Sequence, residues 1–498
     1  MSDHELPTAS RRQFLSLLTA GAGALTLLAA CGAGGSAATS GSTSAETKSI
    51  GGVTPSAVTT ASSRAAASTS AAASTASQTA TSSAASNAVT TTTAPAASTG
   101  SSLATGKADL TVIYWGGQQD KETNSKIIDQ YTSAHPQVHV TATLVTGSFD
   151  DKLQAMVAGG TPPDVFEMAE AFVGYAAKGV TLDLSQFIKQ TNFDLGDFYP
   201  NILRAYTYQG KVEGIPPRGG PMVLFYNKDL FNKVGATMPT AGWTWDDFMT
   251  ATTKLSVGVG DTKTYGIGSG NWWPWWMSAV YQNGGSVLNH DKTQATLDTD
   301  AAIGGLQWFS DWFNKYKIAP NATESKTLPK GGGDQWIVQG KTGMDETGFW
   351  AVSSNDKAAG FNWAAAPLPK GKVAATVLFS NAWCLTSEGK QQAAAFDLVT
   401  ALTSKPSQEI IAKTRQDMPT RKSVATSAVF TGDEPADHTQ AFITSEDMII
   451  DMPITPQWNQ MLSGKVTGNI INDLIAGKTD ASTAGKQMTT NINTALKG

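Results

Sequence analysis

The feature that most limits how this chain can fold is an alternation of short apolar runs with amphipathic segments that begins at residue 109. The apolar runs predict buried strands, and apolar side chains at helical spacing between them predict helices. In chain order the predicted elements are strand 109–115, helix 120–134, strand 138–145, helix 149–158 and strand 164–168. Strands that alternate with helices favour a mostly parallel sheet covered by helices, so the sequence predicts an α/β fold.

Two side chains stand where strands of such a sheet end. Ligands of α/β proteins bind outside the carboxyl ends of the strands. Trp115 is the last residue of the first predicted strand, and Glu167 lies near the end of the third. These ends are the first candidate site, although Trp115 is also suited to cap the core and Glu167 to lie on the surface.

The N-terminus predicts export. Residues 10–15, SRRQFL, form a twin-arginine pattern, and residues 14–30 are mostly apolar. The run ends in Leu-Ala-Ala-Cys, which resembles the bacterial lipoprotein signal, in which the cysteine, here Cys31, becomes the lipidated first residue. A plain membrane helix is the alternative, but glycine, serine and threonine interrupt the run. The sequence therefore predicts a twin-arginine lipoprotein signal over residues 1–31 and a lipid anchor on the outer face of a membrane.

Residues 32–106 contain almost only alanine, serine, threonine and glycine. Such a segment cannot bury enough apolar surface to offset the entropy of its chain, so it is predicted to be disordered. As a flexible coil it would span roughly 45–50 Å between its ends. It is expected to act as a tether between the membrane and a folded module that begins at residue 107.

Composition and missing motifs exclude several classes of function. A formal net charge of −5 without a basic stripe argues against a nucleic acid partner. The cysteines are Cys31 and Cys384, so no intrachain disulfide is expected. The histidines lack metal-ligand spacing, and no phosphate-binding loop, dinucleotide glycine pattern or nucleophile elbow occurs. We therefore expect no metal, no cofactor and no enzyme activity, with a glycosidase that opposes Glu167 to Glu346 as the alternative.

Five separated motifs resemble one family when they are taken in order. They are TPPDV at 161–165, VEGIPPRGGPMVLFYNKDLF at 212–231, WDDF at 245–248, GKTGM at 340–344 with GFW at 348–350, and APLP at 366–369. Each motif is weak alone, but five in order behind a lipoprotein signal are specific. From residue 110 to its end the chain resembles the family 1 extracellular solute-binding proteins of ABC transporters, of the type that binds maltose and oligosaccharides.

The resemblance implies the two-lobe, periplasmic-binding-protein-like α/β fold, in which hinge strands join the lobes around a central ligand cleft. Lobe one would comprise residues 107–217 plus 376–417, and lobe two residues 218–375 plus 418–498. The resemblance further implies capture of a carbohydrate, a di- or oligosaccharide, and its delivery to the permease subunits of an ABC importer. We expect a monomer. A non-sugar solute and coupling to a sensor are the alternatives.

The resemblance also places polar candidates at the cleft. Sugars present apolar C–H faces and a rim of hydroxyl groups, so aromatic rings and polar side chains both serve to bind them. In lobe one the candidates are Trp115, Gln118 and Glu167, although an exposed amide such as that of Gln118 usually binds only water. Arg218 lies at the predicted crossing between the lobes, where it suits either a ligand contact or an interlobe ion pair.

Further aromatic candidates come from later in the chain. In the family the GFW motif presents its tryptophan, here Trp350, to the ligand. Trp383 lies on a predicted strand and is expected to stack on the ligand from lobe one. Trp458 falls near a late aromatic residue that contacts sugar in maltose-binding relatives. By contrast, Trp308 and Trp312 share one helix face and are predicted to pack in the core.

Residues 271–285, NWWPWWMSAVYQNGG, hold four tryptophans around one proline. A membrane belt would need flanking spans, which the sequence lacks outside the signal. In sugar-binding relatives the corresponding segment contributes stacking rings from lobe two. We expect Trp272 and Trp273 to contact the ligand, Trp275 to be a further candidate and Trp276 to be buried, with the proline kinking the chain between them.

Overall fold

The computed structural model describes Leu103, residues 106–432 and residues 435–498. The predicted signal, its lipidation site Cys31 and nearly all of the predicted tether lie outside the described residues. Within the part of the chain that the structure describes, no helix combines the length and the apolar character needed to cross a bilayer.

Strands and helices alternate along most of the described chain. The strands are β1 (Ala108–Trp115), β2 (Val138–Val145), β3 (Val165–Met168), β4 (Thr207–Tyr208), β5 (Lys211–Val212), β6 (Gly214–Pro221), β7 (Val223–Asn227), β8 (Tyr265–Gly268), β9 (Thr342–Thr347), β10 (Trp363–Ala366) and β11 (Leu378–Leu385). The α-helices are α1 (Gln118–Ala134), α2 (Phe149–Ala158), α3 (Phe172–Ala176), α4 (Ser185–Thr191), α5 (Pro200–Arg204), α6 (Lys228–Val234), α7 (Trp245–Leu255), α8 (Trp273–Gln282), α9 (Asp300–Asn314), α10 (Gly332–Val338), α11 (Val352–Lys357), α12 (Gln392–Leu402), α13 (Lys405–Thr414), α14 (Lys422–Ala425), α15 (Ala428–Thr431), α16 (Ala436–Ser445), α17 (Trp458–Met461), α18 (Asn469–Ile475) and α19 (Ala481–Leu496). Single 3-10 turns lie at Gly260–Thr262, Glu324–Thr327, Phe349–Ala351 and Glu446–Met448, and a π-helical turn lies at Gly464–Gly468.

The first sheet has the strand order β2-β1-β3-β11-β6. β1 pairs in parallel with β2 and β3, which confirms the parallel sheet predicted from the alternation of strands and helices. β11 runs antiparallel between β3 and β6. Both faces of this sheet are packed, since Tyr114 and Ile113 of β1 enter separate cores. Leu103 is predicted to belong to the tether. It packs instead against the core that contains Tyr114, because burial of a large apolar side chain lowers its free energy.

The second sheet has the strand order β10-β7-β9-β8. β7 is antiparallel to β9 and β10, whereas β8 and β9 are parallel. Its faces are also both packed, because Leu224 and Phe225 of β7 enter different cores. Phe309 and Trp312 of α9 are buried in the Leu224 core, which confirms the predicted packing of that aromatic face.

Two strand connections carry the chain between these sheets. β6 stays paired with β11 through Pro221, and after Met222 the chain enters the second sheet as β7. It returns between β10 and β11. We call each sheet, with the helices that cover it, the first lobe and the second lobe. Arg218 therefore belongs to a strand of the first sheet, although the predicted boundary assigned it to lobe two; the other lobe boundaries stay predictions.

The paired strands β6 and β11 approach each other closely at Gly219. Its φ is +147°, and a Cβ there would lie 2.3 Å from the Cβ of Ser380 on β11. Gly219→Ala is therefore expected to lower the free energy of unfolding by more than about 2 kcal/mol, measured by chemical denaturation. Gly147→Ala is the control, because a Cβ at Gly147 would meet no atom within 4 Å. Equal losses in both variants would contradict the close approach.

A buried carboxyl group links the stability of the fold to pH. Both carboxyl oxygens of Glu446 are buried without a hydrogen-bond partner, and burial, with Asp447 nearby, raises the pKa of Glu446 to about 8. An unfolded glutamate titrates near 4.5. Between these two values the folded protein holds a proton that the unfolded chain lacks, so this group makes stability fall as pH rises.

Glu446→Gln is expected to raise the free energy of unfolding by a few kcal/mol at about pH 9 and to change it little at about pH 4. Urea denaturation of both proteins at the two pH values measures the difference. A gain of the same size at both pH values would show that the folded carboxyl group is not held in its protonated form.

Candidate functional site

A buried ion-pair network joins three elements of the first lobe. Arg218 of β6 donates from Nη1 to Asp120 Oδ1 at 2.6 Å and from Nη2 to Glu167 Oε1 at 2.8 Å. Gln416, after α13, also donates to Asp120 Oδ1. Glu167 is fully buried and Arg218 is 9% exposed. Arg218 thus forms its ion pairs within the first lobe and not between the lobes, and Glu167, predicted to bind ligand, is one of its partners. The ligand contacts predicted for both residues stay predictions.

The turn between β1 and α1 holds Asp120 in place. Asp120 Oδ2 accepts a hydrogen bond of 2.7 Å from the amide of Gly117, the residue that precedes α1. Position 116 requires glycine, because its φ is +134° and a Cβ there would lie 2.3 Å from Asp120 Cγ. One oxygen of Asp120 therefore caps the helix while the other points at Arg218.

The network contains more carboxyl groups than guanidinium groups. Burial raises the pKa of Glu167, and Arg218 opposes that rise. Burial also lowers the pKa of Arg218, but Glu167, Asp120 and Asp417 outweigh it and raise the pKa. Hydrogen bonding from Asn381 also opposes the rise, and Glu167 lines a cavity of about 10 Å³ together with Trp383. A cavity of this size has room for about one water. The network is therefore a buried set of polar groups with space for no more than one small polar molecule beside it.

Six rings pack against one another where the second lobe meets β11, and we call them the aromatic cluster. Trp273 stacks on Phe379 with ring centroids 5.0 Å apart, and its ring meets Trp458 edge-on at 5.2 Å. Trp350 meets Phe379 edge-on at 5.1 Å and is 38% exposed. Trp272 contacts Trp275, Trp350 and Phe379. The cluster thus consists of one unpredicted residue, Phe379, and five predicted residues: Trp272, Trp273, Trp275, Trp350 and Trp458. Trp458 requires a correction, because it is 3% exposed and packs in the Leu224 core, so its ring offers no free face to a ligand.

Helix α8 holds two of these tryptophans, Trp273 and Trp275. It begins at Trp273, and Pro274 lies in its first turn. The predicted kink is therefore wrong, because the fixed φ of proline suits the first turn of a helix. Trp276 is 1% exposed, as predicted. The Trp275 Nε1–H donates to the Glu346 carbonyl oxygen at 3.0 Å, which ties the helix to β9.

Strand β11 connects the aromatic cluster to the ion-pair network. In the register between β11 and β6, Phe379 pairs with Gly220 and Asn381 pairs with Arg218. Residues two apart on a strand face the same side and lie about 7 Å apart. An apolar wall and a polar centre therefore lie beside each other, an arrangement suited to a ligand with both kinds of surface.

The other predicted residues of the first lobe lie elsewhere. Trp115 is half-buried and meets Phe149 edge-on at 4.9 Å. Gln118 is exposed and donates to Glu122 at 2.8 Å. Their contact with a ligand stays a prediction. Trp383 requires a correction: it is 2% exposed and packs in the core of the first lobe beneath the network, so its ring offers no free face for stacking.

A groove of about 640 Å³ lies on the other side of β11. Leu378 lines this groove, whereas its neighbour Phe379 faces the aromatic cluster, as alternation along a strand requires. Tyr208 is the one aromatic residue among those that line it. The groove therefore offers little surface for stacking on a sugar.

The two carboxyl groups considered for catalysis, Glu346 and Glu167, both have hydrogen-bond partners within the protein. Glu346 is buried and accepts a hydrogen bond of 2.9 Å from Ser278, and burial raises the pKa of Glu346 to about 8. Glu167 is paired with Arg218. Neither carboxyl group is exposed for proton transfer to a substrate. Among the described residues, no group of three or more histidine, cysteine, aspartate or glutamate side chains is arranged to hold a metal.

Sequence reasoning missed two residues that organise the site, Phe379 and Asp120. Asp120 follows Gly117 at the spacing of a helix-capping carboxylate, which is a readable signal for the turn. Nothing in the sequence indicates that its second oxygen meets Arg218. Phe379 lies at the start of a strand whose apolar sequence predicts a place in the core. Only the register of β11 shows which face of the sheet its side chain occupies.

Comparisons with known proteins agree with this architecture. A family model described as bacterial extracellular solute-binding protein matches residues 126–437. The arabinooligosaccharide-binding protein of Bacillus subtilis is 24% identical over 224 residues, or 44% of this chain and 51% of the relative, so the match spans about half of that protein. A maltooligosaccharide ABC transporter solute-binding lipoprotein of Streptococcus pneumoniae is 25% identical over 361 residues, or 70% of this chain and 79% of the relative.

A solved structure shows the same fold. It is that of an ABC substrate-binding protein from Listeria monocytogenes in complex with cycloalternan, which superimposes with a TM-score of 0.71 at 24% identity. The superposition covers 78% of this chain and 99% of that one. The predicted two-lobe α/β fold is therefore confirmed.

Arg218→Met is expected to lower the free energy of unfolding by about 3–5 kcal/mol, because it leaves Asp120 and Glu167 buried without their counter-charge. Chemical denaturation measures the loss. Adding Glu167→Gln to this variant should recover a large part of it, since the second change removes the stranded charge. A loss below about 1 kcal/mol in the single variant would show that the network does not stabilise the first lobe.

Proposed function

The chain belongs to the bacterial extracellular solute-binding proteins, and from this membership we propose that it captures a carbohydrate by lobe closure and delivers it to an ABC importer. The ligand is a di- or oligosaccharide. The observation that supports this most is the aromatic cluster, and the names of the relatives, which bind arabino- and maltooligosaccharides, point the same way.

The cluster suits the apolar faces of sugar rings. Indole and phenyl rings cover C–H faces at low conformational cost, because each side chain has only two rotatable bonds. Trp350 presents an exposed ring, with Trp272 and Phe379 packed against it. The number of rings in the cluster favours an oligosaccharide over a monosaccharide.

The ion-pair network suits the hydroxyl groups. Asn381, which pairs with Arg218, lies on the same face of β11 as Phe379, so its polar side chain lies beside the rings. A site built to bind hydroxyls rejects ligands that lack them, since its polar groups would then stay unpaired. Specificity would therefore come from this centre and affinity from the rings.

The positions of these groups support capture by closure. Five rings of the cluster come from the second lobe, while Phe379 and the network belong to the first sheet. Next to Trp458, Asn459 Nδ2 donates to Asp150 Oδ2 of the first lobe at 3.3 Å, a contact between the lobes at the edge of the site. A ligand held by both lobes favours the closed form because only closure completes its contacts.

We further propose that the protein is exported by its twin-arginine signal and held at the outer face of the membrane by lipid on Cys31. Residues 32–106 would then serve as the tether, and the permease subunits would be reached by the closed form. In this proposal the protein binds its ligand without chemical change, acts as a monomer and requires no cofactor.

Replacing Trp350 with alanine is expected to weaken oligosaccharide binding roughly tenfold or more, because it removes an exposed ring of the cluster. Calorimetric titration with maltooligosaccharides and arabinooligosaccharides measures the change. The thermal midpoint should stay close to that of the parent protein, since the ring is only partly buried.

Tyr316→Ala is the matched control, because Tyr316 is 43% exposed and lies after α9, outside the aromatic cluster. It should bind sugars as the parent does. Binding of an amino acid, polyamine or phosphate ester without any response to sugars would overturn the carbohydrate proposal. Turnover of the bound sugar would overturn the proposal that the protein is not an enzyme.

A further inference from the structure

A groove of about 510 Å³ runs along helix α1, and we call it the lysine groove. Gln118, Glu122 and Lys126 line it from α1, and because they lie four residues apart they share one face of that helix. Lys413, near the end of α13, lines the groove as well. Lys357, the last residue of α11, is the third lysine in its lining. The groove therefore brings together cationic side chains from three separate helices.

The lysine groove adjoins both the ion-pair network and the aromatic cluster. Thr123 lines the groove and also the small cavity that Arg218 and Glu167 line. On the side of the second lobe, the turn that holds Trp350 leads directly into α11. At about 1.5 Å per residue, Lys357 lies roughly 10 Å along the chain from Trp350. A ligand bound at the candidate site is therefore near enough for one end of it to reach the groove.

The lining of the groove carries an excess of positive charge. Its charged residues are the three lysines and one acid, Glu122, which together give a charge of +2. The formal net charge of the whole chain is −5, so the groove is opposite in sign to the protein that carries it. The Glu122 carboxylate also accepts a hydrogen bond of 2.8 Å from Gln118. The positive charge of the groove is therefore a local feature that its own acid does not cancel.

Neighbouring acids do not neutralise the three lysines either. In the part of the chain that the structure describes, none of the three forms an ion pair, and Lys357 Nζ donates to the hydroxyl group of Ser353 at 3.0 Å. Asp356, which precedes Lys357 in the chain, is paired instead with Arg415 at 2.7 Å. Cationic groups without a counter-charge beside a cleft raise the local concentration of anions. The groove is therefore available to an anionic group from solution.

The uncharged residues of the lining indicate what kind of anion fits. Gln118 and Gln119 bring amide groups and Thr414 a hydroxyl group, and the Gln119 amide donates to the Thr414 carbonyl oxygen at 2.7 Å. Among the described residues that line the groove, Ile410 is the one large apolar side chain and none is aromatic. An apolar anion would find little surface to cover here, whereas amides and hydroxyls orient polar ligands. The groove therefore suits an anion that also carries hydroxyl groups.

We propose that the lysine groove binds an anionic group, a carboxylate or a sulfate, on the oligosaccharide that the protein captures. This rests on the proposed function, because the aromatic cluster has to hold the neighbouring sugar units. The volume of the groove falls within the range of about 300–1,000 Å³ that is typical of small-molecule sites, so a charged sugar unit fits. Water and salt screen exposed lysines, so the groove confers a preference of roughly tenfold for the acidic sugar and not an absolute requirement.

Calorimetric titration of the full chain at low salt tests this preference with two matched pairs of ligands. One pair is the trimer of galacturonic acid and its neutral methyl ester, and the other is sulfated maltotriose and maltotriose. In at least one pair the acidic member is expected to bind roughly tenfold tighter than its neutral partner, and the pair in which this occurs identifies the anion. The preference should shrink as salt is added, because screening weakens the attraction between exposed charges.

The triple variant Lys126→Gln, Lys357→Gln and Lys413→Gln should lose the preference and bind the neutral ligands as the parent does. All three lysines are exposed, so the thermal midpoint should stay close to that of the parent. Lys121→Gln is the matched control, because Lys121 is an exposed residue of α1 that does not line the groove. Glu122→Gln should increase the preference, because it removes the one acid of the lining.

The possible failures separate this proposal from the function on which it rests. Neutral sugars that bind as well as both acidic ones in the parent would overturn the role of the lysine groove and leave capture of a carbohydrate intact. A preference that persists in the triple variant would place the anionic group elsewhere and overturn the role of the groove as well. No binding of any of the four sugars or of longer oligosaccharides would overturn the proposed function, and the role of the groove with it.

Discussion

The two-lobe arrangement depends on the antiparallel pairing of β6 with β11. One strand carries the chain out of the first lobe and the other carries it back, so this hydrogen-bonded pair completes the first sheet and links it to the second lobe, which the chain enters again after α13 on its way to Trp458. Gly219 permits the close approach of the two strands. Because Arg218 lies on β6 and Phe379 on β11, the same pairing sets the polar and apolar halves of the candidate site beside each other.

Different forces hold these two halves. The ion-pair network is rigid, because separating Arg218 from Glu167 would leave a buried charge without compensation. The aromatic cluster is held by ring contacts and by the hydrogen bond from Trp275 to β9, and Trp350 keeps part of its ring exposed. A rigid polar centre in one lobe and the partly exposed ring of Trp350 in the other suit a ligand enclosed between the lobes.

Local patterns predicted the elements well, and they predicted side-chain direction less well. The helix from Phe149 to Ala158 and the parallel pairing of β1 follow from periodicities that span few residues. The kink predicted at Pro274 is wrong, because proline suits the first turn of a helix as well as a kink. Only the residue at which the helix begins distinguishes these two positions. The stacking predicted for Trp383 is wrong for another reason. The face of the sheet that a strand residue occupies depends on the register of its strand with the neighbouring strands.

The sequence by itself determined the α/β class, the two-lobe fold through its ordered motifs, and the burial of Trp276, because hydrophobic periodicity and short motifs are local properties. Only the tertiary structure decided that Arg218 pairs with Asp120 and Glu167, and that Phe379 joins five tryptophans. Those contacts unite residues far apart in the chain, and their existence depends on strand register and on how close two backbones can approach.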